Sequence, residues 1–73
     1  MTDSHDNPVD KLIKMANQIA VGFRLMPEPE AITNTTNHIV AFWTPKMRLE
    51  LKDYVKSDGS KLEPLARAAA AKL

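Results

Sequence analysis

The chain has 73 residues, with ten basic against nine acidic side chains and a formal net charge of +1. It can form one domain at most, and a domain of this size buries only about 60 % of the surface that its unfolded chain exposes. The near-zero net charge argues against a protein selected for broad attraction to phosphate groups, and the lack of cysteine excludes disulfides and thiolate metal sites.

The N-terminal residues give no sign of a targeting segment. Residues 1–6 carry no apolar side chain after Met1, and we expect them to form a disordered tail before a single helical domain at 7–73. They are polar and acidic, whereas a signal peptide starts with basic and apolar residues. No apolar run approaches the ~20 residues of a membrane span. We therefore expect a cytoplasmic protein with no membrane contact.

A first helix is predicted at about residues 8–26. Pro8 suits the first helical position, and apolar residues then recur at steps of three and four, which is the spacing of one helical face. These residues are Val9, Leu12, Ile13, Ala16, Ile19, Ala20, Phe23 and Met26. Pro27 ends the helix because a proline cannot continue the hydrogen-bond ladder.

A second helix is predicted at about residues 29–43. Pro29 can open it, and apolar residues at helical spacing extend from Ile32 to Phe42 and Trp43. Its middle, "TNTTN", is a poor helix former because these side chains compete for backbone hydrogen bonds. This helix therefore depends on packing against the others.

A third helix is predicted at about residues 45–57, directly after a corner. Thr44 can cap it by accepting a bond from a free backbone N–H, and Pro45 suits the first helical position. Gly59 is expected to end it in a left-handed conformation.

A fourth helix is predicted at about residues 62–72. Ser60 and Glu63 have the spacing of a capping box ahead of the alanine-rich segment. The four segments together predict an all-α fold, a small bundle of three to four short helices.

Four side chains around the predicted corner are candidates for contact with a partner protein. Trp43, Phe42, Met47 and Arg48 are of the types enriched in interface hot spots. Adjacent helical residues point about 100° apart, so one aromatic ring can pack inward while the other faces outward. Trp43 can either plug the helix junction or anchor a partner, and the sequence leaves both roles open.

Two neighbouring amides in the first helix pose a similar question. Asn17 and Gln18 interrupt an otherwise apolar segment. They can be solvated on an exposed face, or they can form hydrogen bonds to the backbone of a partner.

The sequence does not indicate an enzyme. His38 is the one histidine within a predicted helix, and a general base would need an orienting carboxylate and a substrate pocket. We interpret it as a half-exposed helix residue. The chain therefore offers no set of side chains suited to catalysis.

A small helix-turn-helix regulator is the alternative from another functional class. Two helices that meet at a tight turn fit that motif. The cations of the third helix would contact phosphates: Lys46, Arg48, Lys52 and Lys56. Glu50 and Asp53 are interspersed among them, which weakens the interpretation.

Several short motifs follow one another along the chain. They are "KMANQI" at Lys14–Ile19, Met26–Pro27, Phe42–Trp43 with Pro45, Met47 and Arg48, and Gly59 with Leu62 and Pro64. Taken in this order, they resemble one known family, the delta subunit of NAD-dependent formate dehydrogenases that contain molybdenum or tungsten. The resemblance covers about residues 9–70, nearly the whole chain.

The resemblance implies a non-catalytic accessory subunit that supports assembly, cofactor insertion or stability of a larger enzyme. Such subunits carry no cofactor and accompany a catalytic alpha subunit within an alpha–beta–gamma–delta complex. That catalytic subunit holds bis-molybdopterin guanine dinucleotide, with Mo or W, and iron–sulfur clusters, while FMN and NAD bind to further subunits.

We predict that Trp43, Met47, Arg48 and Phe42 contact the catalytic subunit, with Asn17 and Gln18 as secondary candidates. Arg48 could grip a carboxylate of that subunit through two parallel hydrogen bonds. For the isolated chain, a monomer and self-association through the apolar patch both stay open.

Overall fold

The structure is a computed structural model that describes residues 8–73. The regular secondary structure of this part of the chain consists of four α-helices. They are α1 (Pro8–Phe23), α2 (Glu28–Phe42), α3 (Pro45–Ser57) and α4 (Pro64–Ala70). The predicted all-α class is confirmed. The tail predicted at residues 1–6 lies outside the described residues.

α1 ends at Phe23, three residues before the predicted end at Met26. The chain leaves the helix through a tight turn, in which the N–H of Arg24 donates to the carbonyl of Val21 and that of Met26 to the carbonyl of Phe23. Pro27 explains the earlier end, since a helical proline clashes with the carbonyl four residues before it and disfavours a helical residue directly before it.

The corner between α2 and α3 is set by three consecutive residues. Trp43 follows α2 in an extended conformation, with φ −100° and ψ 147°, while its N–H still donates to the carbonyl of Ile39 at 2.8 Å. The hydroxyl of Thr44 accepts a bond from the N–H of Met47 at 3.2 Å, and Pro45 begins α3. The predicted cap and the predicted bounds of the third helix are confirmed.

The connection from α3 to α4 differs in part from the prediction. Gly59 has φ +73°, as expected for a left-handed helix stop. However, α4 begins at Pro64, and Glu63 is its N-cap without a side-chain bond. The predicted start at residue 62 and the capping box with Ser60 are therefore wrong. Proline is tolerated only in the first turn of a helix, so Pro64 fixes the later start.

The core lies where α1 and α4 meet the other two helices. α1 and α4 each pack against all three neighbours, whereas α2 and α3 contact α1 and α4 far more than each other. Ile39 of α2 and Leu51 of α3 are fully buried, and the rest of the apolar core consists of Leu12, Ile13, Ala16, Ala20, Ala31, Trp43, Leu62, Ala66, Ala69 and Ala70. No helix within residues 8–73 has the length and apolar character to cross a bilayer.

α4 contributes small side chains to this core. Ala66, Ala69 and Ala70 are completely buried, although the helix contains only seven residues. Because alanine has a short side chain, the backbones of α4 and its neighbours can approach closely. The Thr36 hydroxyl of α2 accordingly lies 3.4 Å from the carbonyl oxygen of Ala69.

One buried hydroxyl has no hydrogen-bond partner within the described residues. Thr35 lies on the buried face of α2 with Ala31 and Ile39, and its Oγ1 contacts no donor or acceptor. The neighbouring Thr36 instead donates to the carbonyl of Ile32 at 2.8 Å. An unpaired buried hydroxyl costs about 1–3 kcal/mol, so Thr35 reduces the stability of the fold.

Thr35→Val should raise the free energy of unfolding by about 1 kcal/mol, because valine has nearly the same shape and needs no hydrogen bond. For a chain of this size the melting temperature, measured by circular dichroism, should increase by about 4–8 °C. Thr36→Val is the matched control and should give no increase, since it removes a hydroxyl that is paired. A Thr35→Val variant that melts at or below the wild-type temperature would contradict this account.

Candidate protein-binding surface

Trp43 lies in the core of the chain itself. Only 5 % of it is exposed, and it packs with the buried residues of α1, α2 and α3. The sequence left two roles open for Trp43, and in the structure its side chain fills the junction between the helices. The indole is therefore already enclosed by its own helices, and truncating it would disturb the fold before it could report on a partner.

Phe42 is the aromatic side chain that faces outward. It is 73 % exposed, although it directly precedes the buried Trp43. Its ring lies 4.7 Å from the ring of His38, one helical turn earlier in α2, and His38 lies 6.4 Å from the ring of Phe23 in α1. The three rings form a row that crosses from one helix to the other.

A shallow groove of about 370 Å³ lies beside Phe42, between α1 and α2. Its lining residues are Met15, Gln18, Ile19, His38, Phe42 and Trp43. Most of its lining is apolar or aromatic, as is common for sites that accept an apolar side chain. We call it the Phe42 groove.

Arg48 is bound to its own chain. Its Nη1 donates to the carbonyl oxygen of Trp43 at 2.9 Å and to that of Val40 at 3.3 Å. The last carbonyls of a helix have no partner within the helix, so the guanidinium satisfies the end of α2 and holds the corner. The bidentate grip on a partner's carboxylate stays a prediction, and it would compete with these bonds.

Met47 is also directed mainly toward the fold. It is half-buried and packs against the core cluster, while its backbone N–H completes the cap on Thr44. Among the predicted partner-binding residues, Phe42 and Gln18 are thus exposed in the groove, whereas Trp43 is buried and Met47 is half-buried.

Asn17 has a role that neither sequence-based alternative described. Its amide nitrogen donates to the carbonyl of Lys61 at 3.0 Å, and its amide oxygen accepts a bond from the N–H of Glu63 at 2.9 Å. The side chain thereby fastens the segment between α3 and α4 to the middle of α1. Gln18, one position further on, is exposed and lines the Phe42 groove.

Two ion pairs support the same connection. Arg24 lies 3.8 Å from a carboxylate oxygen of Glu63, and Lys61 lies 3.9 Å from one of Asp10. Both pairs are largely exposed, and exposed ion pairs contribute little to stability. The Asn17 amide, together with the burial of Leu62 in the core, therefore holds this segment more firmly than the ion pairs do.

Sequence reasoning missed three of the groove residues. Met15 and Ile19 were not proposed as site residues, and His38 was interpreted as a half-exposed helix residue without a binding role. Met15 and Ile19 are four positions apart, as are His38 and Phe42, so each pair is adjacent on its helix. That spacing could have indicated two facing walls, provided that α1 and α2 were assumed to be antiparallel.

Comparison with known families identifies one that covers most of the chain. Residues 11–70 match the family described as the NADH-dependent formate dehydrogenase delta subunit, FdsD. The chain belongs to this family. The matched range includes α2, α3, α4 and nearly all of α1, and so contains the whole Phe42 groove. Neither a search of curated proteins nor one of solved structures found a match for the chain.

Membership in this family identifies the chain as a subunit of a formate dehydrogenase complex. The resemblance inferred from the sequence motifs is confirmed. Of the short motifs that carried it, Lys14–Ile19 contributes Asn17 to the fold and three residues to the groove. Both residues of Phe42–Trp43 line the groove, and Trp43 is also part of the core.

Asn17→Ala should lower the free energy of unfolding by about 2 kcal/mol, because it removes two hydrogen bonds that contribute about 1 kcal/mol each. Gln18→Ala is the matched control on the neighbouring residue and should change stability by less than about 0.5 kcal/mol. Urea denaturation followed by circular dichroism measures both values. Equal effects of the two substitutions would show that the Asn17 bonds do not hold the α3–α4 connection.

Proposed function

We propose that this delta subunit is a non-catalytic accessory subunit that binds the catalytic subunit of a cytoplasmic formate dehydrogenase through the Phe42 groove. Binding supports the assembly or stability of that subunit, or the insertion of its cofactor. The observation that carries the proposal is the large exposure of Phe42 beside a groove that is already formed.

Exposing this ring to water is unfavourable and has no role in the fold of the isolated chain. A phenylalanine that becomes fully covered contributes roughly 2 kcal/mol, and an aromatic anchor in a desolvated pocket is a common hot spot of protein interfaces. A partner that covers Phe42 also stabilises the small helical domain by mass action. The exposed ring is therefore explained by a binding role.

The chemistry of the groove supports a non-catalytic role. His38 is the one titratable side chain among the residues that line it, and it lies between two phenylalanine rings. General acid–base catalysis needs a positioned partner for such a group, and the lining offers neither a carboxylate nor a nucleophile. We assign the molybdenum or tungsten cofactor, the iron–sulfur clusters, FMN and NAD to the other subunits, as the family resemblance implies.

The charges of α3 do not favour the alternative regulator. In a helix-turn-helix the second helix lies in the major groove of DNA, close to the phosphate backbone. The cations of α3 alternate with Glu50 and Asp53, whose carboxylates the phosphates would repel.

Phe42→Asp should weaken binding to the catalytic subunit at least about 30-fold, which corresponds to the 2 kcal/mol typical of a hot spot. The melting temperature should change little, because the side chain is mostly exposed. Titration calorimetry or co-purification with the catalytic subunit measures the affinity, and circular dichroism measures the fold.

Val40→Asp is the matched control for this substitution. Val40 is 50 % exposed, lies in the same last turn of α2 and is absent from the lining of the Phe42 groove. Aspartate near a helix C-terminus is unfavourable at both positions, so that effect cancels in the comparison. Equal loss of binding in both variants, or in neither, would remove the Phe42 groove from the proposed function.

Deletion of the delta subunit distinguishes the roles within the complex. A role in cofactor insertion predicts that the purified catalytic subunit loses metal and formate oxidation together. A role in structural support predicts normal metal content but faster thermal inactivation. Normal metal content, activity and stability after deletion would contradict the proposed function as a whole.

A further inference from the structure

Charges are distributed unevenly along a chain that is nearly neutral. Residues 11–27 and 31–49, which include the walls of the Phe42 groove, contain no aspartate or glutamate. They contain five cations, namely Lys11, Lys14, Arg24, Lys46 and Arg48. The acidic residues of the described chain lie outside both segments, so cations outnumber carboxylates along the stretches that form the groove walls.

Two of these cations lie next to the groove. Lys11 precedes Met15 by four residues and Lys14 precedes Gln18 by four, which makes each lysine a neighbour of a groove residue on the surface of α1. Both lysines are exposed, and within residues 8–73 neither lies within ion-pair distance of a carboxylate. By contrast, Arg24 is paired with Glu63, and Arg48 is bonded to the end of α2.

We propose that the Phe42 groove accepts an acidic amphipathic helix of the catalytic subunit. This inference rests on the proposed function and specifies the partner's chemistry. An apolar side chain of that helix enters the groove beside Phe42, and its carboxylates lie one to two helical turns away, opposite Lys11 and Lys14. Lys11 and Ile19 are about 12 Å apart along α1, which matches about two turns of a partner helix.

Charge complementarity selects this occupant. A symmetric dimer of two delta subunits joined at this groove would bring two copies of Lys11 and Lys14 into one interface without any carboxylate to pair with them, which is unfavourable. A nucleic acid would satisfy the lysines but would leave the apolar lining of the groove uncovered. A helix with carboxylates around an apolar anchor satisfies both parts of the surface.

A photo-crosslinking amino acid at Gln18 tests this proposal in the assembled complex. Gln18 is exposed and lines the groove, so its replacement leaves the core intact. Mass spectrometry should locate the crosslink on a segment of the catalytic subunit that has apolar residues at helical spacing and at least two aspartates or glutamates. The same crosslinker at Val40 is the control and should not label that segment.

The double variant Lys11→Glu with Lys14→Glu tests the charges separately. Its association rate with the catalytic subunit should be about 10-fold lower at low salt, and the difference should shrink as salt rises. Lys72→Glu reverses an exposed charge that lies outside the groove walls and should change the rate less than twofold. Circular dichroism confirms that each variant is folded.

The outcomes separate the two proposals. If the wild-type chain does not bind the catalytic subunit, the proposed function fails. If it binds but Gln18 labels a second copy, labels a segment without acidic residues or labels nothing, the proposed function stands and this inference is overturned. Unchanged association of the double lysine variant likewise overturns it.

Discussion

Burial of the Trp43 indole at the end of α2 determines where the exposed aromatic surface lies. The chain must turn there, because Pro45 begins a new helix, and the extended conformation of Trp43 takes the ring into the core. Arg48 then closes the turn by bonding to the carbonyls of Trp43 and Val40. Phe42 belongs to the last regular turn of α2, where it remains on the outer face beside His38. Burial of Trp43 thus determines both the turn between α2 and α3 and the outward position of the Phe42 ring.

Local chemistry explains how much of the fold could be predicted from the sequence. Thr44, Pro45 and Gly59 act within one or two residues of a helix end, so their effect can be inferred without tertiary information. The predicted end of α1 and the predicted start of α4 were wrong because a nearby proline outweighed another local sequence pattern. Pro27 shortened α1, and Pro64 delayed α4 despite the apparent capping box. In each case the steric demand of proline outweighed periodicity or hydrogen-bonding pattern.

The candidate site was harder to predict because its decisive contacts are long-range. Asn17 forms hydrogen bonds with Lys61 and Glu63, which follow it by 44 and 46 positions in the sequence. Helical periodicity gives no information about contacts at that separation. The sequence could place an aromatic pair at the corner, but only the packing of α1 against α2 shows which ring is enclosed. His38 was considered for its imidazole chemistry, whereas its position between Phe23 and Phe42 makes it part of an aromatic surface.

α1 connects the stability of the fold with the surface offered to a partner. Asn17 faces the α3–α4 connection, while the adjacent Gln18 faces the groove, so two neighbouring amides serve different functions. The Asn17 bonds hold α4 close to α1, and the packing of α1 on α2 forms the groove walls. A surface held in place by packed helices loses less conformational entropy when a partner arrives. This matters for a domain of 73 residues, since its small core leaves little free energy to order a flexible interface.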